Sequence, residues 1–342
     1  VLPEVVVQAN TLFDQAEAAV ANDPLRLHRV QVARLPVLYA QIVLATSGAY
    51  SEQDGKLVPR KGEDVGQAVA RFARTAQAEG VTHLREGQGN LDAWLDSLPR
   101  QARDLPIEVL ANPELRLEIL PAIGGRIFRL THLPTQRQWF KLGGTDRALA
   151  PGDGGYEEYT GGGYRSPGWS ETYTVTEKTE RRLTVAATLR SGLRLTRTYE
   201  LDPQKPRLSI ASTLTNPTRQ PITASLRSHP ELAVTSTAKA QVVVAGPDGK
   251  QTPIDLANPK DPMAEHNQWL RDADMPAGEW TVVDRAAGLA LTNRFQRQDV
   301  AQVLLNWAGS AARVNLELFG PETALQPGQS VVLRQSFEVT RP

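Results

Sequence analysis

Hydrophobic positions recur at helical spacing through roughly the first hundred residues and at every second position through most of the rest, a change of period that marks two kinds of secondary structure. In the first part, Leu12, Phe13, Ala16, Ala19 and Val20 predict one helix, and Asp23-Pro24 supplies a cap and a first-turn proline for a second. That second helix carries Leu35, Leu38, Tyr39 and Ile42 on one face, and Pro36 is expected to kink it or end its first half. A polar loop over residues 50–62 leads to a third helix with Val65, Val69, Phe72, Ala73 and Ala76 on one side, stopping at Gly80. A short fourth helix is expected over residues 91–98, before a proline-bounded connection at 99–106.

From Ile107 the period is two. Leu115, Leu117 and Ile119 alternate with Arg116 and Glu118, and Leu208, Ile210 and Leu214, then Val331, Leu333, Phe337 and Val339, repeat the pattern. Turn signals at Asp202-Pro203, Pro247-Asp248-Gly249 and Pro327-Gly328 separate these half-buried strands, and no long helical pattern interrupts them. The expected class is therefore α+β and multidomain: a helical domain over residues 1–105, then a large antiparallel β-sandwich over residues 106–342.

Composition removes several function classes. Lys plus Arg and Asp plus Glu are equal at 38 each, and no basic run offers a nucleic-acid surface. No apolar run is long enough for a membrane-spanning helix. Cysteine is absent, which excludes disulfides, thiolate metal sites and a cysteine nucleophile. His28, His83, His132 and His266 have no partner at metal-ligand spacing, so neither a metal nor another cofactor is expected. The compartment stays open, with a secreted or periplasmic setting favoured.

The densest candidate chemistry is the stretch over residues 152–173, GDGGYEEYTGGGYRSPGWSETY. Flat aromatic rings among carboxylates on a glycine-bent backbone suit a polyhydroxylated ligand, because rings stack on the C–H faces of a sugar while charged groups bond its hydroxyls. Tyr164, Arg165, Trp169 and Glu171 are the candidate binding residues there, the alternative being a long ordered loop that caps a sandwich edge. Arg126, after Gly124-Gly125, is a candidate ligand donor or a structural ion-pair partner.

Three segments resemble one known architecture. LEILPAIGGRIFRLTH (residues 117–132), LTNPTRQPITASLRSHPEL (214–232) and VNLELFGPETALQPGQSVVLRQSFEV (314–339) are similar, in the same order, to the galactose-mutarotase-like supersandwich. LFDQAEAAV, RVQVARLPVLYAQI and EGVTHLREG in the helical part resemble the region preceding such a sandwich in a bacterial family, where a barrel like that of α-glucuronidases and related glycoside hydrolases normally comes first. The resemblance implies the C-terminal portion of a larger carbohydrate-active protein, with a carbohydrate ligand and a barrel domain as partners; the opening Val-Leu-Pro, without a signal-peptide pattern, fits a mature or truncated product.

In mutarotases a histidine in an Asn-His-Ser-Tyr-Phe-Asn-Leu type strand protonates the ring oxygen, and a glutamate in a Leu-Glu-Thr-Gln type strand takes the proton from the anomeric hydroxyl. The resemblance puts His229 in the position of the acid and Glu317 in that of the base. Arg227 has the strand parity of His229, and is read as a ligand donor or as the ion-pair partner of Glu231 or Glu317. Two departures weaken the match: residues 141–147 lack the further sugar-binding histidine of that region, and Pro230-Glu231-Leu232 replaces Tyr-Phe-Asn. The leading expectation is a carbohydrate-recognising accessory region without catalysis of its own. The alternatives are an aldose 1-epimerase using His229 and Glu317, and a glycoside hydrolase pairing Glu158 or Glu171 with Glu317.

Overall fold

The computed structural model describes residues 3–46, 50–59, 65–85, 88–91, 95, 104–145, 148–163, 166–257, 261 and 263–342. The chain divides into two compact units, one of residues 1–104 with 144–150 and one of residues 105–143 with 151–342.

The first unit is built on helices α1 (Pro3–Ala19), α2 (Pro24–Thr46) and α3 (Val65–Ala78). Leu38, Ile42, Ala68, Phe72, Ala76 and Leu91 form its core. Arg34 of α2, buried, bonds Asn10, Asp14 and Glu17 of α1, and Arg71 of α3 shares Glu17. Two expectations change. Of the two outcomes expected at Pro36, the helix does not end there: α2 spans 23 residues in all, with Pro36 inside it, and Arg34 and Leu38, buried on either side of the proline, hold the segment in place. The expected polar loop contains a hairpin, Tyr50–Gln53 against Lys56–Pro59. Asp54 and Gly55 both have positive φ, as a two-residue hairpin turn requires. Of the expected fourth helix only Leu91 and Leu95 are described, both helical.

The second unit is built on two large antiparallel sheets. In chain order its main strands are β1 (Glu108–Ala111), β2 (Leu115–Leu120), β3 (Arg126–His132), β4 (Tyr156–Thr160), β5 (Thr174–Lys178), β6 (Arg182–Thr188), β7 (Arg194–Leu201), β8 (Arg207–Thr215), β9 (Leu226–Ala233), β10 (Ala240–Ala245), β11 (Gln251–Asp255), β12 (Glu265–Leu270), β13 (Glu279–Asp284), β14 (Leu289–Phe295), β15 (Gln302–Ala308), β16 (Arg313–Phe319) and β17 (Ser330–Thr340). The first sheet runs β12-β15-β16-β9-β4-β3-β2-β1, with Arg137–Gln138 added to β3; the second runs β5-β6-β7-β8-β17-β14-β13-β10-β11. Alternate residues of both sheets, among them Leu117, Leu195, Ile210, Leu316 and Phe337, interdigitate as one apolar core.

That core contains charge. Glu158 and Arg197 are fully buried between the sheets, with Arg197 Nε donating to Glu158 at 2.7 Å. Tyr156 and Ser212 also donate to Glu158, and Gln335 donates to the Tyr156 hydroxyl. Arg197 donates further to the carbonyls of Gly124 and Gly125, at 2.9 and 3.2 Å, and the Tyr199 hydroxyl donates to Gly125 at 2.6 Å. Burial pushes the Tyr199 phenol up to about 12, which keeps it a donor. The network thereby clamps the turn from which β3 starts, and β3 starts with Arg126.

Candidate functional site

Strand parity in the first sheet sends one set of side chains into the core and the other to the opposite face. On β4, Tyr156 and Glu158 go inward, and Glu157 and Tyr159 outward. The register pairs Glu157 with His229 and Tyr159 with Arg227, and across β9 and β16 it pairs Arg227 with Phe319 and Glu231 with Asn315. Arg126, Glu157, Tyr159, Arg227, His229, Asn315, Glu317 and Phe319 are thus gathered from four neighbouring strands onto one face. Arg227 and His229 share a face, as their strand parity in the sequence indicates.

The geometry within that face is close. Arg227 Nε donates to Glu317 Oε2 at 2.8 Å, and its Nη2 lies 2.6 Å from the same oxygen. Its Nη1 donates to the carbonyl of Gly162 at 2.9 Å. The guanidinium lies between two rings, 5.2 Å from the centroid of Tyr159 and 4.6 Å from that of Phe319. His229 Nε2 is 3.5 Å from Glu317 Oε1 and 3.2 Å from Asn315 Nδ2. His229 and Glu317 are 4% and 2% exposed. Arg126 makes a second buried pair, 2.9 Å from Glu157, and also donates to the carbonyls of Gly154 and Trp169.

Burial pushes the Glu317 carboxyl up to about 7, with Arg227 opposing the shift. Because the folded state then holds this proton more tightly than the unfolded chain does, its stabilising contribution is complete below pH 4.5 and is lost as pH rises through about 7. Unfolding free energy should fall over that window by up to about 3 kcal/mol on account of this group. Urea denaturation at pH 5 and pH 7 should show a smaller fall in Glu317→Gln than in the native chain; equal falls would mean that Glu317 titrates normally.

The other sequence candidates fall in different places. Residues 152–173 are not one loop: β4 lies within them, and Tyr156, Tyr159 and Tyr173 are buried. Tyr164 and Arg165 lie outside the described residues. Trp169 is half-buried, with Arg126 5.8 Å from its ring centroid. Glu171 accepts from the Gly168 amide at 2.8 Å and lies 3.6 Å from Arg190, the role of a turn-capping carboxylate. Glu158 faces the core, on the opposite side of the sheet from Glu317, so those two cannot flank one glycosidic bond.

The sequence alone does not single out Glu157 and Tyr159 within the 152–173 stretch, or Asn315 and Trp269, as site residues. Trp269 of β12 is 43% exposed, packs on Phe319 at 5.2 Å between ring centroids and has Arg271 4.9 Å from its own. Beside it Asn306 donates to Asn267 and Glu265, and Arg313 donates to Glu265. This end of the face is open. Among the described residues no group of three His, Cys, Asp or Glu side chains could hold a metal ion.

No family model and no curated protein matches this sequence. Solved structures do match. A galactose mutarotase-like protein from Lactobacillus casei aligns with TM-score 0.53 and 13% identity over 68% of this chain and 100% of its own. One from Clostridium acetobutylicum aligns with TM-score 0.52 and 10% identity over 70% and 99%, and the Slr1438 protein from Synechocystis with 0.54 and 13% over 69% and 96%. At these identities the likeness is one of fold, and the share of the chain matched is the size of the second unit. Two antiparallel sheets in this arrangement, matched over the full length of such proteins, give the chain a galactose-mutarotase-like β-sandwich.

Proposed function

We propose that the sandwich recognises a carbohydrate on the outer face of its first sheet and performs no acid–base chemistry there, as an accessory region of a larger carbohydrate-active protein. The observation that carries the non-catalytic part is the contact between His229 and Glu317. Opening a hemiacetal needs an acid and a base on opposite sides of one ring, each within hydrogen-bond reach of it. Here the two groups are 3.5 Å apart, too close for a sugar ring to lie between them, and the second carboxylate oxygen is held by Arg227. Recognition is supported by what surrounds them: partly exposed Trp169 and Trp269 with Asn267, Asn306 and Arg313 beside the latter, a set suited to sugar C–H faces and hydroxyls. The fold neighbours described as galactose mutarotase-like point to the same ligand class.

One observation favours the second reading, an aldose 1-epimerase with His229 as acid and Glu317 as base: a carboxyl held near 7 is poised for proton transfer at neutral pH. That chemistry would require Arg227 to release Glu317 before a ring could enter.

Trp169→Ala and Trp269→Ala should each weaken binding of a glycan-array hit by about 1–3 kcal/mol, roughly five- to 150-fold, without unfolding the protein. Isothermal calorimetry reads the change. Unchanged affinity in both variants would put the binding site elsewhere.

A further inference from the structure

The geometry points to β12 as a docking edge on which a second copy of this chain lays its own β12 antiparallel, continuing the first sheet across a two-fold axis. An open sheet edge presents unpaired N–H and C=O groups, and edge strands that stay single are blunted by proline, lysine, bulges or short length. Three of the four sandwich edges are blunted in these ways. β11 carries Pro253; β5 has a bulge between Val175 and Glu177 and ends on Lys178; β1 is four residues long, with Glu108 paired to Lys178. β12 has none of these devices. It pairs in unbroken register with β15 from Glu265 opposite Ala308 to Leu270 opposite Val303, and among the described residues no strand covers its other side.

The side chains along that edge are unusual for solvent. Among the described residues of the sandwich, the exposed large hydrophobic side chains are Met263 and Trp269, 62% and 43% exposed, one just before β12 and one within it. They stand at opposite ends of the same edge, one at each end of the row that a pairing strand would cover.

The occupant follows from self-complementarity. Directly opposed residues of an antiparallel pair share a face, so a two-fold axis perpendicular to the continued sheet must pass midway between the two copies of one residue. With the axis at Gln268, Glu265 stands opposite Arg271 of the second copy, and Arg271 opposite that copy's Glu265. Arg271 has extended backbone, φ −141 and ψ 159, so the ladder can reach it. The two Trp269 rings become diagonal neighbours, and Met263 is diagonal to the second copy's Arg271, both within reach of long side chains. Acid at one end and base at the other is the charge order that an antiparallel copy satisfies twice.

The native chain contains no cysteine, which makes single-cysteine variants clean probes. Gln268→Cys, oxidised in air, should run as a covalent dimer, whereas Ser209→Cys, exposed on the second sheet, should stay monomeric. In sedimentation velocity the native chain should shift from monomer toward dimer with rising concentration, and Gln268→Lys, which sets two ammonium groups opposite each other, should return it to the monomer value. A native chain that stays monomeric, with no more linking at position 268 than at 209, would overturn the proposal. So would a dimer that survives Gln268→Lys while Gln268→Cys fails to link, since the chains would then associate through another surface.

Discussion

Replacing Arg197 by methionine is expected to lower the unfolding free energy of the sandwich by about 3–5 kcal/mol, the cost of removing one partner of a buried ion pair. The guanidinium is fully buried, and it serves Glu158, the Gly124 and Gly125 carbonyls and the Tyr199 hydroxyl at once. Methionine fills similar volume, so the loss reports the stranded carboxylate and carbonyls rather than a cavity. Adding Glu158→Gln to Arg197→Met removes the stranded charge and should restore part of the loss. Urea denaturation followed by near-UV circular dichroism measures both. A single-variant loss below about 1 kcal/mol would mean that the pair does not hold the two sheets at this point.

The second large effect is expected at Gly124. Its φ is +66, a conformation that L side chains rarely adopt, and an added Cβ would overlap the carbonyl oxygen of Trp169. Gly124→Ala should therefore cost about 3 kcal/mol or more, combining about 1–2 kcal/mol of left-handed strain with the displacement of backbone. Gly249 supplies the control: its φ is +79 and nothing lies within 4 Å of the added atom, so Gly249→Ala bears the conformational cost alone. Because Arg126 and Trp169 flank this contact, Gly124→Ala should also move the Trp169 fluorescence, which Gly249→Ala leaves in place. Equal losses in the two variants would show that the Trp169 backbone yields freely.

Where a strand separates an apolar side from a polar side, its sequence alone reveals it. Leu208, Ile210 and Leu214 alternate with exposed or half-exposed neighbours and are buried, as their spacing predicts. The shared face of Arg227 and His229 follows from the same rule. Strand β4 was not legible because both of its faces are polar. Tyr156 and Glu158 enter the core only because Arg197, Ser212 and Gln335 meet them from the second sheet, contacts between residues distant in sequence that no local pattern encodes. Glu157 and Tyr159 were hidden for the same reason. The contact between His229 and Glu317 depends on how Arg227 divides its donors between Glu317 and the Gly162 carbonyl, and parity says nothing of that division. Trp269 lies next to Gln268 in a mixed polar strand, and only its edge position exposes it.

Recognition of a carbohydrate without acid–base chemistry can be read in one NMR experiment on the native protein with a panel of reducing mono- and oligosaccharides. Saturation transfer reports binding, and exchange cross-peaks between the α and β anomeric protons report ring opening in the same samples. Saturation transfer to at least one sugar is expected, with anomeric exchange no faster than in buffer, because His229 and Glu317 contact each other at 3.5 Å. Accelerated exchange that disappears in both His229→Ala and Glu317→Gln would contradict the non-catalytic reading and establish the epimerase; absence of saturation transfer across the panel would contradict recognition itself.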